Sequence, residues 1–384
     1  MKKIRSQALN IVQEFLAAGY DLRRNLISGK IEFRESGTEH FRVLTRDELN
    51  SILMVAEAAL PEVKRLRDSL TTVIYSRATP DYDPVADWLH NLPEWDGMNY
   101  VDDLFNHIPG LSAEERYWLH VWLRSAVAHW LHMDMLHGNE LVPTFIGEQG
   151  CGKSTFCQQL LPPHLREYYL DHVNLSNKFD KEMALTSNLL VNVDELDQVR
   201  RSQQAELKQL FSKSRVNGRP IYGKAQEDRL RYASFVATTN NHHPLHDPTG
   251  SRRFLCIEIP AGQLIDNLSP INYDQLYAQV LAELNRGERY WFTEDETRAI
   301  QRHNAPYQST IDLERIVLDC FRQPADDEPC TPITMMSVIE VVMRDYPFIR
   351  PSHATKIQLG NALAAQGFRT KREERGMTYF AIPR

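Results

Sequence analysis

The chain has 384 residues, 42% of them hydrophobic and 25% charged, with a formal net charge of −7. That length holds two or three domains, and the composition is that of a globular protein, which excludes a disordered or fibrous chain. No apolar run is long enough to cross a bilayer, and the net charge excludes a general attraction to polyanions.

In chain order, MKKIRSQALNIVQEFLAAGY has a basic start but no apolar centre or small-residue cleavage site. It reads as an amphipathic helix over residues 4–18, not as a signal peptide. A β-hairpin follows, with Leu26, Ile27, Ile31 and Phe33 in its strands and Ser28-Gly29 at its turn. Thr45 is placed to cap a helix that runs to about residue 60, and Glu48 to complete a capping box. A second helix is expected over residues 61–70. These elements make residues 1–78 a small α+β unit. The segment TPDYDP, residues 79–84, reads as a linker.

Residues 79–140 form a helical lead-in to a core that begins at residue 141. Asp96, Asp102 and Asp103 read as helix caps and solvated faces. A long helix is expected over residues 111–137, and its histidines, His120, His129, His132 and His137, lack the carboxylate partners of a metal site.

The next stretch is the most informative. Gly147, Gly152, Lys153 and Ser154 in FIGEQGCGKSTF fit the spacing G-x-x-x-x-G-K-[ST]. Glycines, Gly150 among them, let the backbone curl so that successive N–H groups face phosphate oxygens. Lys153 then reaches the β- and γ-phosphates, Ser154 ligates Mg2+, and Thr155 completes the set. The apolar run at residues 141–146 supplies the strand before the loop. A helix over 153–161 follows, stopped by Pro162-Pro163. Cys151 lies within the loop, where oxidation would hinder nucleotide binding, so a reducing cytoplasm is the expected compartment.

LLVNV, residues 189–193, reads as a strand buried on both faces of a parallel sheet, ending in Asp194 and Glu195. Asp194 is a candidate Mg2+ ligand and Glu195 a candidate general base. Between residues 199 and 231, nine Lys/Arg stand against three Asp/Glu. Within that basic segment, RPIYGK carries Arg219 and Lys224 beside an aromatic residue, a pattern suited to a phosphate backbone. A second buried strand, residues 232–240, ends in Asn240, which is placed to orient a water beside Glu195. Arg252 and Arg253 follow a flexible turn, as candidate γ-phosphate contacts.

These elements define a core over residues 141–305. Residues 306–384 then read as three helices and two short strands around residues 374–376, the outline of a winged-helix-like domain. Its wing is basic at Arg369, Lys371, Arg372 and Arg375.

The order GEQGCGKST, LLVNVDELD, RPIYGK, ATTN and TGSRRF resembles the virulence-associated protein E family, which is similar to superfamily 3 helicases and to phage and plasmid replication ATPases. DPVADWLHNLPEWDG resembles the lead-in of such proteins, so the resemblance covers about residues 80–300. It implies an α/β, P-loop AAA+-like core that hydrolyses ATP with Mg2+. It also implies a homo-oligomeric ring, with a hexamer as one candidate size, in which each subunit completes its neighbour's site. Lys153 and Ser154 match the first nucleotide motif, Asp194 and Glu195 the second, and Asn240 the sensor. Arg252 or Arg253 matches the finger acting in trans, and Lys224 lies in the segment of the DNA-contacting hairpin. Many relatives carry a primase domain upstream. The first 80 residues are too few for one, so priming is expected from a separate protein. The expected function is an ATP-driven motor on DNA, single-stranded DNA foremost: a replicative helicase or helicase loader of a phage or mobile element. The competing class is a nucleotide-dependent DNA-binding switch or scaffold, a replication regulator or phage-interference factor, that does not unwind.

Overall fold

The computed structural model describes residues 2–384 apart from 134–137, 174–176, 197–198, 200, 214, 219–226, 246–250, 309–312, 326–327, 347–348, 350 and 374–375. The chain divides into two compact units, one of Met1–His242 and Arg252–Asn304, the other of His243–Ser251 and Ala305–Arg384.

The first unit opens with α1 (Lys2–Gly19), β1 (Tyr20–Asn25), β2 (Ile31–Glu35), β3 (Arg42–Val43), α2 (Arg46–Ala59), α3 (Leu66–Ile74) and β4 (Asp81–Tyr82). β1 and β2 pair antiparallel, with Tyr20 opposite Glu35. Leu26 and Ile27 therefore lie in the turn, not in a strand. The Asn25 side chain makes that turn by accepting from the N–H groups of Ile27, at 3.0 Å, and Ser28, at 2.9 Å.

Thr45 caps α2 through the N–H of Glu48 at 3.2 Å. The Glu48 carboxylate pairs with Arg42 at 3.1 Å. The second helix starts later than expected, at Leu66, because its buried stripe is Leu66, Leu70, Val73 and Ile74. The expected linker also differs. Asp81 and Tyr82 pair in parallel with Arg24 and Asn25, closing a four-stranded sheet in the order β3-β2-β1-β4.

Asp83 then caps α4 (Pro84–His90), and α5 (Tyr100–Phe105) and α6 (Ala113–Trp130) follow. Asp96 accepts from the N–H of Met98 at 2.9 Å and from Tyr100 Oη at 2.7 Å, the work of a turn cap. Ser112 and Glu115 close a capping box at the head of α6. Trp118, Leu119, Trp122, Leu123 and Val127 on this helix are buried in the main core. His120 faces α10 (below), where its Nε2 lies 2.7 Å from Glu283 Oε2.

The central sheet is built from β5 (Val142–Ile146), β6 (Tyr169–Leu170), β7 (Leu190–Val193), β10 (Ser234–Thr239) and β11 (Phe254–Glu258). All five run parallel, in the order β11-β5-β10-β7-β6. β5, β7 and β10 are buried along their whole length, as largely apolar stretches in a parallel sheet are expected to be. Around them are α7 (Lys153–Gln159), α8 (Lys178–Ser187), α9 (Arg201–Ser212), α10 (Tyr273–Asn285) and α11 (Glu294–His303). Between α9 and β10 stands an antiparallel hairpin of β8 (Arg215–Gly218) and β9 (Glu227–Leu230).

In the second unit are α12 (Leu313–Cys320), β12 (Phe321–Arg322), β13 (Ile333–Thr334), α13 (Met335–Asp345), α14 (His353–Ala365), β14 (Thr370–Glu373), β15 (Gly376–Tyr379) and β16 (Ile382–Pro383). Val317, Phe321, Val338, Val342, Leu359 and Leu363 form its core. A three-stranded sheet, β13-β15-β14, adds one strand to the expected pair. Gly360 lets that sheet approach α14, since a Cβ there would lie 2.9 Å from Tyr379 Oη.

Candidate functional site

Parallel strands present their ligands at their carboxyl ends, where loop N–H groups and side chains are free of the sheet. Here β5 ends in the glycine loop, β7 in Asp194-Glu195 and β10 in Asn240. Because β10 lies between β5 and β7, Asn240 stands between the loop and the two acids. Gln149, Gly150, Gly152, Lys153, Ser154, Thr155, Asp194, Glu195, Thr239 and Asn240 line one cavity of about 320 Å³.

Lys153 is buried, and its Nζ donates to the carbonyls of Gly147 at 2.7 Å and Glu148 at 2.8 Å, and to Asn240 Oδ1 at 3.0 Å. The ammonium is thus held at the cavity by three exchangeable oxygens, which an anion can replace. Gly150 and Gly152 sit at φ +84° and +93°, the left-handed region that side chains avoid. Gly147 is not among the lining residues and is needed for packing: a Cβ there would come within 3.0 Å of Ile259 Cβ and 3.2 Å of Cys151 Sγ.

Asp194 Oδ1 accepts from Thr238 Oγ1 on the neighbouring strand, and Thr238 Oγ1 accepts in turn from Asn192 Nδ2 at 3.3 Å. Asn192 and Thr238 are fully buried, so this relay fixes the carboxylate from below. Glu195 is exposed and has φ 51°, a strained conformation for a residue with a side chain. Such strain costs on the order of 1–3 kcal/mol and persists where the surroundings impose it.

Arg252 and Arg253 do not join this cavity. They precede Phe254, which pairs with Val142 at the start of β5, whereas the loop follows the end of β5. A strand of this length puts about 15 Å between the two ends. The arginines line a second cavity of about 340 Å³, with Asn139, Glu140, Trp291 and Phe292 among its walls. Arg253 is engaged there, 3.1 Å from Ser212 Oγ and 3.5 Å from Glu140 Oε2, while Arg252 is exposed.

Arg219 and Lys224 lie outside the described residues; the strands β8 and β9 that flank them are described. Arg369, Lys371 and Arg372 are exposed on and beside β14, with Lys371 3.4 Å from Glu373. Arg375 lies outside the described residues. Sequence reasoning missed Thr238 and Asn192, although both stand inside the strand motifs it singled out. It also missed Asn267, whose amide reaches the carbonyl of Gly152 at 3.0 Å from a loop with no motif of its own.

The model of the virulence-associated protein E-like domain matches residues 89–309. The chain belongs to this family. The matched span of this virulence-associated protein E-like chain holds the glycine loop, both acids, Asn240 and both arginines. No curated protein sequence matches the chain. Among solved structures, two apo forms of the NrS-1 C terminal region cover 98% of this chain and 98% of their own at 12% identity, with TM-scores of 0.47 and 0.45. A structure titled SCCmec type IV Cch, active helicase, covers 94% of this chain and 92% of its own at 11% identity, with a TM-score of 0.37. At these scores the overlaps are loose.

Proposed function

We propose that this chain is an ATP-hydrolysing, Mg2+-dependent motor on DNA, a replicative helicase or helicase loader of a phage or mobile element. The observation that carries the reading is the convergence of Lys153, Ser154, Asp194, Glu195 and Asn240, from three strand ends, on one cavity. Its architecture in this reading is an AAA+-like core with a small N-terminal α+β domain and a C-terminal winged-helix-like domain.

The residues suit both groups. Backbone N–H groups beside Gly150 and Gly152, with the Lys153 ammonium, form a cradle for a triphosphate. The Ser154 hydroxyl and the Asp194 carboxylate are hard oxygen donors of the kind Mg2+ takes. Mg2+, when bound, neutralises charge that develops on the phosphate oxygens. Lys153 leaves the carbonyls of Gly147 and Glu148 for the phosphates. Glu195 draws a proton from the attacking water, and Asn240 orients that water from the strand between loop and acids. Thr238 keeps Asp194 aimed.

The exposed Arg252, at the opposite end of the sheet from the loop, supports an arginine supplied to a neighbouring copy's site, and hence a ring. Arg219 and Lys224, between β8 and β9, and the exposed Arg369, Lys371 and Arg372 are the proposed contacts to DNA phosphates. The test is strand displacement on a forked duplex with ATP and Mg2+. The reading expects displacement by the native chain and none by Lys153→Ala. No displacement by native protein that binds the fork and hydrolyses ATP would rule out the helicase and leave a loader, a switch or a scaffold.

A further inference from the structure

For the N–H groups of a phosphate loop to face an anion, the loop carbonyls must face away, and each buried carbonyl then needs its own donor. Two of these bonds are local: the Cys151 N–H reaches Glu148 O at 3.4 Å, and the Phe156 N–H, in the first turn of α7, reaches Gly152 O at 3.0 Å. The remaining donors come from two places. The carbonyls of Gly147 and Glu148 are taken by Lys153 Nζ, the group that phosphate will claim. The carbonyls of Cys151 and Gly152 are taken by the segment that follows β11. There the Ile265 N–H donates to Cys151 O at 2.9 Å, and Asn267 Nδ2 donates to Gly152 O at 3.0 Å.

That segment is itself tied down. Asp266 accepts from the N–H groups of Leu268 and Ser269, both at 3.0 Å, and from Ser269 Oγ at 2.6 Å. The Asp266 N–H donates to His107 O at 2.9 Å, anchoring the segment to the turn after α5. The Asn267 carbonyl accepts from Gln159 Nε2 at 3.0 Å, so the segment grips both ends of α7. Tyr273 Oη donates to Gln159 O at 2.8 Å and closes the circuit. Gly152 fits the same arrangement. A Cβ there would lie 2.3 Å from Asn267 Nδ2, so glycine at 152 both permits φ +93° and leaves room for the amide.

We propose that Asn267 is a positioning residue of the nucleotide site: its amide fixes the Gly152 carbonyl and so presets the loop N–H groups before nucleotide arrives. The inference rests on the reading of that cavity as a nucleotide site. Lys153 can leave the front of the loop on binding because the back does not depend on it. The gain is preorganisation, felt as affinity and not as chemistry, since Glu195 and Asn240 lie on other strands.

The test uses the full chain with Mg2+ and a fluorescent ATP analogue, and compares native protein with Asn267→Ala, Asn267→Asp and Lys153→Ala. Asn267→Asp keeps the shape but cannot donate while ionised. Both Asn267 variants are expected to bind about three- to tenfold more weakly, the worth of one hydrogen bond. In steady-state hydrolysis KM should rise by the same factor, with kcat within about twofold of native. Melting without nucleotide should change little, because Gly152 O keeps the Phe156 N–H in both variants. Native affinity in Asn267→Asp overturns the proposal, as does a loss of affinity matched by a lowered nucleotide-free melting temperature. If Lys153→Ala binds as well as native protein, the nucleotide-site reading falls and this inference with it. If Lys153→Ala fails to bind and the Asn267 variants do not differ from native, only the inference falls.

Discussion

At the scale of single residues, position in the sheet separates roles that residue type alone leaves open. Arg252 and Arg253 are adjacent in sequence, and each has the chemistry of an arginine finger. In the proposed reading Arg252 is the finger, since Arg253 is spent on Ser212 and Glu140 while Arg252 stays exposed. Arg252→Ala is therefore expected to lower ATP turnover about a thousandfold or more, the range of a lost arginine finger. Mixed with equal Lys153→Ala, also inactive, it should recover roughly a quarter of native turnover. That is the share of interfaces in a random ring that join an intact loop to an intact arginine. No recovery in verified mixed assemblies would count against a shared site.

The glycine loop, Asp194-Glu195 and Asn240 were legible in the sequence because each closes a short, largely apolar stretch, which marks the end of a buried parallel strand. Asn267 and Thr238 were not. Their roles come from contacts across 115 and 44 positions, which no local pattern encodes.

At the scale of elements, helix ends and strand pairing explain where sequence reading and structure part. TPDYDP looked like a linker because of its prolines and aspartates. Two of its residues nonetheless find an open edge at β1 and pair there, since an unpaired strand edge leaves backbone groups without partners. The helix expected over residues 61–70 slides to Leu66–Ile74 because burial of its stripe, not Pro61, sets its start.

Capping can also carry a pH signature. Thr293 and Glu296 close a capping box on α11, and Arg289 Nη2 donates to Glu296 Oε1 at 2.7 Å. The bond from Arg289, joined by the Thr293 N–H, holds the Glu296 carboxyl at about 2, against an ordinary 4.5. A depressed carboxyl stabilises the fold fully above its ordinary value, and that contribution is lost as pH falls towards 2. Glu296→Gln should therefore melt below native protein at pH 7, and the gap should narrow from about pH 4.5 downward. A gap that stays constant from pH 7 to pH 3 would mean that the ion pair is not its source.

At the scale of the whole molecule, the central sheet makes one site out of distant segments. Its order puts β10 between β5 and β7, so an asparagine more than eighty residues after the loop meets the loop lysine at 3.0 Å. The hairpin turn near the N-terminus also reaches this core. Ile27 is fully buried in the main hydrophobic cluster, and its carbonyl accepts from Arg229 on β9 at 3.3 Å. Asn25 Nδ2 meets Tyr168 Oη at 2.7 Å beside it. Sequence periodicity showed the hairpin but not its seat, because the turn that docks it is short and buries a single apolar side chain, Ile27.

The central claim is that these strand ends form a hydrolytic site that DNA engages. Its most direct test is steady-state ATP hydrolysis, with and without single-stranded DNA, by native protein and by Glu195→Gln. The account predicts Mg2+-dependent turnover that single-stranded DNA stimulates, with a loss of at least a hundredfold in the variant, the scale of a removed general base. Turnover indifferent to DNA, or equal in native protein and variant, would contradict it.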